Sequence, residues 1–190
     1  MEENLNKTIN KKKVIIIISI IIILLGICAF TVFYPNKKDS KTSKTFLVDN
    51  TFNLTVQKNY NLTEYKNSNN HILELHSKDN FNIYIDKLKN LDNYSLFLIA
   101  KADRDYYPSI FESASSLSEI KELSINNFPS TNYSFNYLNN ETNEIHYLQI
   151  NFIKINNNIY TIDIEFPISK TEIFSPIVSD ILSTISTDIK

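Results

Sequence analysis

The sequence has very little glycine and cysteine. Its one glycine, Gly26, and its one cysteine, Cys28, lie in an apolar run near the N-terminus, so the longer part of the chain contains neither. Phosphate-binding loops, dinucleotide fingerprints and the G-x-S-x-G nucleophile elbow need glycine where the backbone turns tightly or approaches a ligand. A disulfide or a multi-cysteine zinc site needs more than one cysteine. The sequence therefore excludes these sites after the apolar run.

Positive charge is also scarce after this run. From Thr45 to the C-terminus there are eleven Lys and Arg residues against eighteen Asp and Glu residues, a net charge of −7. Arg104 is the only arginine, and it lies between Asp103 and Asp105. This triplet could hold a divalent ion, or form local ion pairs on a solvated helix. A nucleic-acid-binding domain needs clustered cations, so nucleic acid is excluded as a partner.

The apolar run itself extends over Val14 to Phe33 without a charged residue, and lysines flank it on both sides. As a helix, twenty residues extend over about 30 Å, the thickness of the hydrocarbon core of a bilayer. We therefore predict a membrane-spanning helix at residues 14–34, with the lipid bilayer as a partner of the chain.

Two other interpretations of the run are open. A cleaved signal peptide would have a shorter core followed by small residues, whereas Phe30 to Tyr34 prolong the core here. A lipoprotein signal would modify Cys28, but Ile27 stands where a small residue is expected. The length of the run favours an uncleaved helix over both.

The predicted organisation has four parts. Residues 1–13 are a short cytoplasmic tail, 14–34 the membrane helix, 35–44 a polar flexible linker and 45–190 a domain outside the cytoplasm. The lysine counts on the two sides of the helix are equal, but the tightest cluster is N-terminal, which favours this orientation. We thus expect a single-pass protein of the cell membrane.

The composition of the outer domain is that of a folded protein, since hydrophobic residues make up 43% of the chain and aromatic residues 12%. Apolar and polar residues alternate along most of it, which is typical of strands with one buried face. Asparagine-rich breaks predict turns between antiparallel strands. The alternating apolar positions are Phe52, Leu54, Val56; Leu73, Leu75; Phe81, Ile83, Ile85; Leu123, Ile125; Tyr133, Phe135, Tyr137; Leu148, Ile150, Phe152; and Tyr160, Ile162, Ile164, Phe166.

Two stretches have helical spacing instead. One extends from Asp92 to Ala114 and contains Pro108, which would end or kink a helix. The other begins at Ser169 and carries apolar residues at 173, 177, 181, 182 and 185. The order of elements predicts an α+β domain, in which helices pack on an antiparallel β-sheet.

This order resembles the PsbP-like family, over roughly residues 45–190. The resemblance rests on an early strand Phe52-Asn-Leu-Thr-Val56, a central helical insertion, a long hairpin over 144–166 and a closing helix. Where such sequences often carry Pro-x-x-Trp, this chain has Gln57-Lys58-Asn59-Tyr60. The resemblance implies that the domain is an α/β/α sandwich. It also implies an accessory or binding module, with no catalytic residue and no cofactor or metal ligand to carry over.

Few titratable residues form a pattern. His71 and His76 are an odd number of positions apart, so on one strand they would face opposite sides and share no metal; His146 is the third histidine. Asp163 and Glu165 share a strand face, where paired carboxylates could bind a cation or transfer protons. Alternation on a solvated strand face explains the pair equally simply.

Aromatic residues suggest a partner-binding surface. Tyr133, Phe135, Tyr137 and Tyr147 fall on two neighbouring predicted strands, and an exposed patch of them would bind another protein. Our first hypothesis is a non-enzymatic accessory protein that engages another envelope protein. The alternatives are a module that binds a small molecule or cell-wall fragment, and a hydrolase that uses Asp163, Glu165 or a histidine.

Overall fold

The alternating residues form the strands that the sequence predicts. The computed structural model describes residues 43–65, 71–89, 91 and 93–188. The first described strand begins at Ser43, inside the predicted linker 35–44. The strands in the described part are β1 (Ser43–Val48), β2 (Phe52–Gln57), β3 (Thr63–Glu64), β4 (Leu73–His76), β5 (Asn82–Leu88), β6 (Lys121–Ile125), β7 (Phe128–Asn139), β8 (Glu144–Ile155) and β9 (Asn158–Pro167).

These strands form two antiparallel sheets. β1 and β2 pair as a hairpin, and the other strands form a seven-stranded sheet in the order β3-β4-β5-β9-β8-β7-β6. In its centre β5 lies beside β9, with Tyr84 opposite Asp163. This pairing joins the early strands of the sheet to the long late hairpins, so residues distant in sequence become neighbours.

The first helix lies where the central helical pattern is. Helix α1 extends over Leu96–Tyr106, and the Ser95 side chain caps it by accepting the Leu98 N–H at 3.3 Å. A 3₁₀ turn, Tyr107–Ile110, follows and contains Pro108 at its start. The helix is shorter than the predicted stretch 92–114, because proline lacks an N–H and cannot continue the α-helical ladder.

The closing helix α2 extends over Thr171–Leu182. Its buried side chains are Phe174, Val178, Ile181 and Leu182, while Ile173 is 62% exposed. The prediction of the helix is confirmed, but its apolar face is rotated away from Ile173. The described part contains two further 3₁₀ turns. Lys58–Tyr60 connects β2 to β3, and Ile168–Lys170 connects β9 to α2.

Tight turns form without glycine. Seven of the ten residues with positive φ in the described part are asparagines. Asn126 and Asn127, with φ of 47° and 70°, make the two-residue turn between β6 and β7, and Asn156 (φ 55°) begins the turn between β8 and β9. Asparagine tolerates this region better than other residues with a Cβ, so it replaces glycine as the sequence predicts.

The seven-stranded sheet is covered on both faces, which we call the α2 face and the α1 face. On the α2 face, the β1–β2 hairpin and α2 pack on apolar residues of β4, β5, β8 and β9 to form the larger core. On the α1 face, Ile99 and Ala100 of α1 pack on apolar residues of β7, β8 and β9 to form the smaller core. The structure thus confirms an α+β domain with helices packed on an antiparallel sheet.

The predicted tail, membrane helix and most of the linker lie outside the described residues. Within residues 43–188, apart from the gaps given above, neither α-helix has the length and hydropathy that crossing a membrane requires.

Candidate functional site

The α1 face of the sheet has an apolar part and a polar part. On β7 and β8 it carries large apolar residues that α1 covers. On β4, β5 and β9 the same face carries Glu74, Tyr84, Asp86, Asp163 and Glu165, because alternate residues of a strand share a face and these residues are paired in register. The three histidines of the chain all contact carboxylates here. This polar part is the candidate site.

Glu165 is the hydrogen-bonding centre of the polar part. It is 5% exposed, and its Oε1 accepts hydrogen bonds from the Tyr137 hydroxyl (2.5 Å) and the Asn139 amide (3.0 Å). Oε1 also lies 2.5 Å from Nδ1 of the fully buried His146, and Oε2 accepts from the Tyr84 hydroxyl at 3.4 Å. A carboxylate offers about four lone-pair positions. Three of these contacts meet at Oε1 and one long contact reaches Oε2, so Glu165 joins groups from β5, β7 and β8.

The other two histidines form similar pairs. His71 Nδ1 lies 2.7 Å from Asp86 Oδ2, and His76 Nε2 lies 2.5 Å from Glu74 Oε1. Both imidazole rings contact the Tyr84 ring, at centroid distances of 5.1 and 5.7 Å. The alternation expected for two histidines on one strand does not apply to them, because His71 precedes β4. In the described part of the chain, no three His, Cys, Asp or Glu side chains are arranged to hold a metal ion.

Asp163 is the member of this cluster whose hydrogen bonding is incomplete. Its Oδ1 is buried and has no hydrogen-bond partner among the described residues. Burial raises the pKa of the Asp163 carboxyl well above its usual value, and the nearby charges of Asp103 and Asp86 raise it further. Asp163 and Glu165 do share a face, as predicted. Glu165 is buried, and Asp163 is partly buried with its Oδ1 inaccessible, so the solvated-strand interpretation does not hold for them.

A small cavity adjoins this carboxylate. It measures about 200 Å³, and we call it the β5–β9 cavity. Four aromatic rings, two carboxylates, one imidazole and one leucine line it: Tyr84, Tyr107, Phe111, Tyr137, Asp163, Glu165, His71 and Leu148. Burial raises the pKa of the Tyr84, Tyr107 and Tyr137 hydroxyls, and neighbouring carboxylates add to this effect, so these hydroxyls keep their protons at neutral pH.

A larger, mostly apolar pocket lies between α1 and the sheet. We call it the α1 pocket; its volume is about 550 Å³. It is lined by Leu88, Leu91, Tyr94, Leu98, Ile99, Ala102, Asp103, Tyr106, Phe152 and Thr161. Asp103 gives it a polar end, where its Oδ2 accepts a hydrogen bond from the Tyr133 hydroxyl at 2.6 Å. Burial raises the pKa of Asp103, and the bond from Tyr133 opposes that effect.

The Asp103-Arg104-Asp105 triplet does not act as one group. Arg104 donates through Nε to the Ser118 carbonyl at 2.7 Å, and Asp105 pairs with Lys101 at 3.6 Å on the exposed side of α1. Asp103 instead points towards Tyr133. The interpretation of local ion pairs on a helix fits Asp105, whereas Asp103 belongs to the α1 pocket.

The predicted partner-binding aromatic residues lie mainly in the core. Tyr133, Phe135 and Tyr137 are between 1% and 8% exposed and belong to the core of the α1 face. Tyr147 lies on the opposite face and is half-buried, with its ring centroid 5.1 Å from that of Phe166. These four residues therefore do not form one exposed surface, because α1 and the turn after it cover β7 and because β8 turns Tyr147 to the other side.

Exposed apolar residues are found elsewhere, around α1. Of the large hydrophobic side chains that are exposed in the described part, half fall between positions 94 and 117: Tyr94, Phe97, Leu98, Tyr106, Ile110 and Leu117. Leu98 and Tyr106 are 55% and 69% exposed. The sequence placed apolar residues at helical spacing here but did not reveal that several point outwards. The signal in the sequence is the apolar first turn of α1, where four large apolar residues follow one another at 96–99 and cannot all face the sheet.

The fold is similar to that of solved proteins with very different sequences. Cyanobacterial PsbP (CyanoP) from Synechocystis sp. PCC 6803 superposes with a TM-score of 0.57 at 6% identity, over 81% of this chain and 97% of that chain. LpqN, described as involved in cell envelope biogenesis of Mycobacterium tuberculosis, has a TM-score of 0.52 at 9% identity, over 79% of this chain and 87% of that chain. A Pseudomonas aeruginosa protein of unknown function has a TM-score of 0.50 at 7% identity, over 78% of this chain and 99% of that chain.

At these identities the likeness shows the fold alone: the domain has a PsbP-like fold, as its sequence pattern indicated. The sequence matches no protein-family model and no curated protein. Sequence similarity therefore assigns no role to the site residues described above.

Proposed function

We propose that the chain is a membrane-anchored, non-enzymatic binding protein whose outer domain engages another envelope protein through the surface around α1. The apolar run at residues 14–33 would place the chain in the cell membrane as a single-pass protein, with the C-terminal domain outside the cytoplasm. The observation that carries the binding role is the exposed apolar area on α1 beside an open pocket. Such patches mark binding surfaces in soluble domains.

The α1 surface combines exposed apolar side chains with a pocket, which is typical of a docking site. Leu98, Tyr94 and Tyr106 are exposed and also line the α1 pocket, so an apolar side chain of a partner would contact them as it enters. Asp103 and Thr161 would supply polar contacts at the inner end. Central aromatic and aliphatic anchors in a pocket carry most of the energy of protein interfaces.

The polar part of the α1 face supports a role without catalysis. Glu165 is buried, and three groups share its Oε1, which favours a structural role over that of a general base. His146, its nearest imidazole, is fully buried and also lies 3.1 Å from the Thr142 hydroxyl. This network is of the kind that joins strands together.

Site-specific crosslinking in intact cells tests the docking surface. A photo-crosslinking residue at Leu98 should capture one defined membrane or envelope protein. The same residue at Ile173, an exposed apolar position on α2, should not capture it. In parallel, Leu98→Asp should abolish copurification of that protein, and Ile173→Asp should leave it unchanged. Identical sets of membrane neighbours at both positions would contradict the proposal.

The proposed membrane topology has its own test. Protease added to intact cells should remove the outer domain and spare an N-terminal tag. Full protection of the domain would place it on the cytoplasmic side and overturn this part of the proposal.

The volume of the α1 pocket favours one second function, the binding of a small apolar molecule. About 550 Å³ lies in the range of small-molecule sites, about 300–1,000 Å³. Ala102 lines this pocket, and Ala102→Trp would fill it. Ala114→Trp is the matched control, since Ala114 is also exposed but lies outside the lining. Loss of a co-extracted small molecule with the first variant alone, together with no protein crosslink at Leu98, would favour this function.

A further inference from the structure

We infer that the β5–β9 cavity binds the alkylammonium group of an organic cation, held between its aromatic walls and the Asp163 carboxylate. This inference concerns a different site from the α1 pocket, and it does not depend on the proposed partner.

The first observation is the incomplete hydrogen bonding of Asp163. Other carboxylates that face this region have partners: Asp86 contacts His71, Asp103 accepts from Tyr133, and Glu165 accepts from several groups. Asp163 Oδ1 is buried without one in the described part of the chain. A buried carboxylate is costly unless a proton or a cation accompanies it.

The second observation is the aromatic wall. The Phe111 ring lies 4.6 Å from the Tyr137 ring and 5.0 Å from the Tyr107 ring, and all three line the cavity. Tyr84 also lines it, from β5. Aromatic faces attract cations within about 6 Å, and cages of several rings suit alkylated ammonium groups. Aromatic rings beside a carboxylate are a poorer match for a small metal ion, which needs several oxygen ligands.

The charge and the size of the cavity agree with this ligand. Its lining contains two carboxylates and no lysine or arginine. A volume of about 200 Å³ corresponds to roughly six water molecules at about 30 Å³ each, which is room for a small ammonium head group. The rest of the ligand would extend through the mouth of the cavity.

Isothermal titration of the full chain in maltoside micelles, which carry no ammonium group, tests the site with choline chloride as the probe. Saturable binding is expected, and the uncharged tert-butyl isostere of choline should bind at least about tenfold more weakly, because it lacks the charge. Asp163→Asn should weaken choline binding about tenfold or more. Tyr107→Leu should weaken it several-fold, and it serves as a second variant if the first does not fold.

The matched control is Asp105→Asn, which removes an exposed carboxylate of α1 and should leave choline binding unchanged. No saturable binding, equal binding of the uncharged isostere, or equal effects of Asp163→Asn and Asp105→Asn would overturn the inference. Displacement of choline by calcium chloride at much lower concentration would also overturn it, because the site would then be a metal site. Failure here would leave the crosslinking result at Leu98 unaffected.

Discussion

The two faces of the seven-stranded sheet differ in what covers them. On the α2 face, a hairpin and a helix enclose one large core of aliphatic and aromatic side chains, in which Phe81 stacks on both Phe166 and Phe174. On the α1 face, one helix covers only the β7–β8 part and leaves two cavities and a carboxylate cluster. The same sheet therefore has one face with a continuous apolar core and another with cavities and polar groups.

This contrast follows from the strands themselves. β9 carries Ile162 and Ile164 on the α2 face and Thr161, Asp163 and Glu165 on the α1 face. Buried apolar area contributes about 25 cal/mol per Å², whereas buried polar groups contribute only when their partners are complete. Mutations on the two faces should therefore change the free energy of unfolding by different amounts. At Asp163 the change should also have the opposite sign.

The largest effect is expected in the core of the α2 face. Phe166→Ala removes a ring that contacts Phe81, Tyr147 and Phe174, and it should lower the free energy of unfolding by about 3–5 kcal/mol. Phe97→Ala, at a 40% exposed ring on α1, is the matched control and should change it by less than about 1 kcal/mol. Urea denaturation measures both, and similar losses would contradict the comparison.

A smaller loss is expected at Glu165. Glu165→Gln keeps the shape but presents an amide to Tyr137, Asn139 and His146, so some donors lose their acceptor. The free energy of unfolding should fall by about 1–3 kcal/mol.

Glu144→Gln is the matched control for this substitution, because Glu144 is exposed at the start of β8. It should have an effect within about 0.5 kcal/mol by the same urea denaturation. Equal stability of the Glu165→Gln protein and the wild type would show that the network does not join the strands.

The opposite sign is expected at Asp163. The pKa of this group is raised in the folded state, so its protonated form is favoured by folding and its ionisation destabilises the fold as the pH rises above the unfolded value of 3.8. Asp163→Asn should therefore stabilise the protein by about 1–3 kcal/mol at pH near 7, and by little below about pH 4.

Urea denaturation of the wild type and the Asp163→Asn protein across this pH range measures the difference. The pKa of Asp103 is also raised. Because Asp103 is present in both proteins, its contribution to the pH dependence largely cancels in the difference. A variant that is less stable at neutral pH, or a difference that does not shrink in acid, would contradict the assignment.

The smallest effect on stability is expected at the exposed part of α1. Leu98→Asp places a charge on a side chain that is 55% exposed, so the free energy of unfolding should change by less than about 0.5 kcal/mol. The variant is predicted to fold normally while it loses the partner. A large loss of stability would show that Leu98 belongs to the core of the α1 face and is not available for docking.

Much of the fold could be predicted from the residues. Alternation at Tyr160, Ile162, Ile164 and Phe166 predicted a strand with one apolar face, and the structure buries all four on the α2 face. The asparagine turns and the two helices were also predicted. The bounds of α1 and the apolar face of α2 were less accurate, because helical spacing alone does not show which side of a short helix meets the sheet.

The candidate site was much less predictable. Period-two alternation placed Asp163 and Glu165 on one face, but the sequence does not show that β5 is their neighbour and brings Tyr84 and Asp86 to them. It also gave no sign that His71 and His76 both contact Tyr84, since one of them lies outside the strand. Of the four aromatic residues expected at a surface, three are buried because α1 and the turn after it cover β7, and Tyr147 lies on the opposite face.

The sequence by itself determined the excluded classes of site, the apolar faces of most strands, the turns without glycine and the expectation of a membrane anchor. These properties depend on residue type and local spacing. The tertiary structure alone decided which polar residues meet, which carboxylate is left without a partner, and which apolar residues of α1 remain exposed. Those properties depend on the pairing of β5 with β9 and on the packing of one helix, which no local pattern specifies.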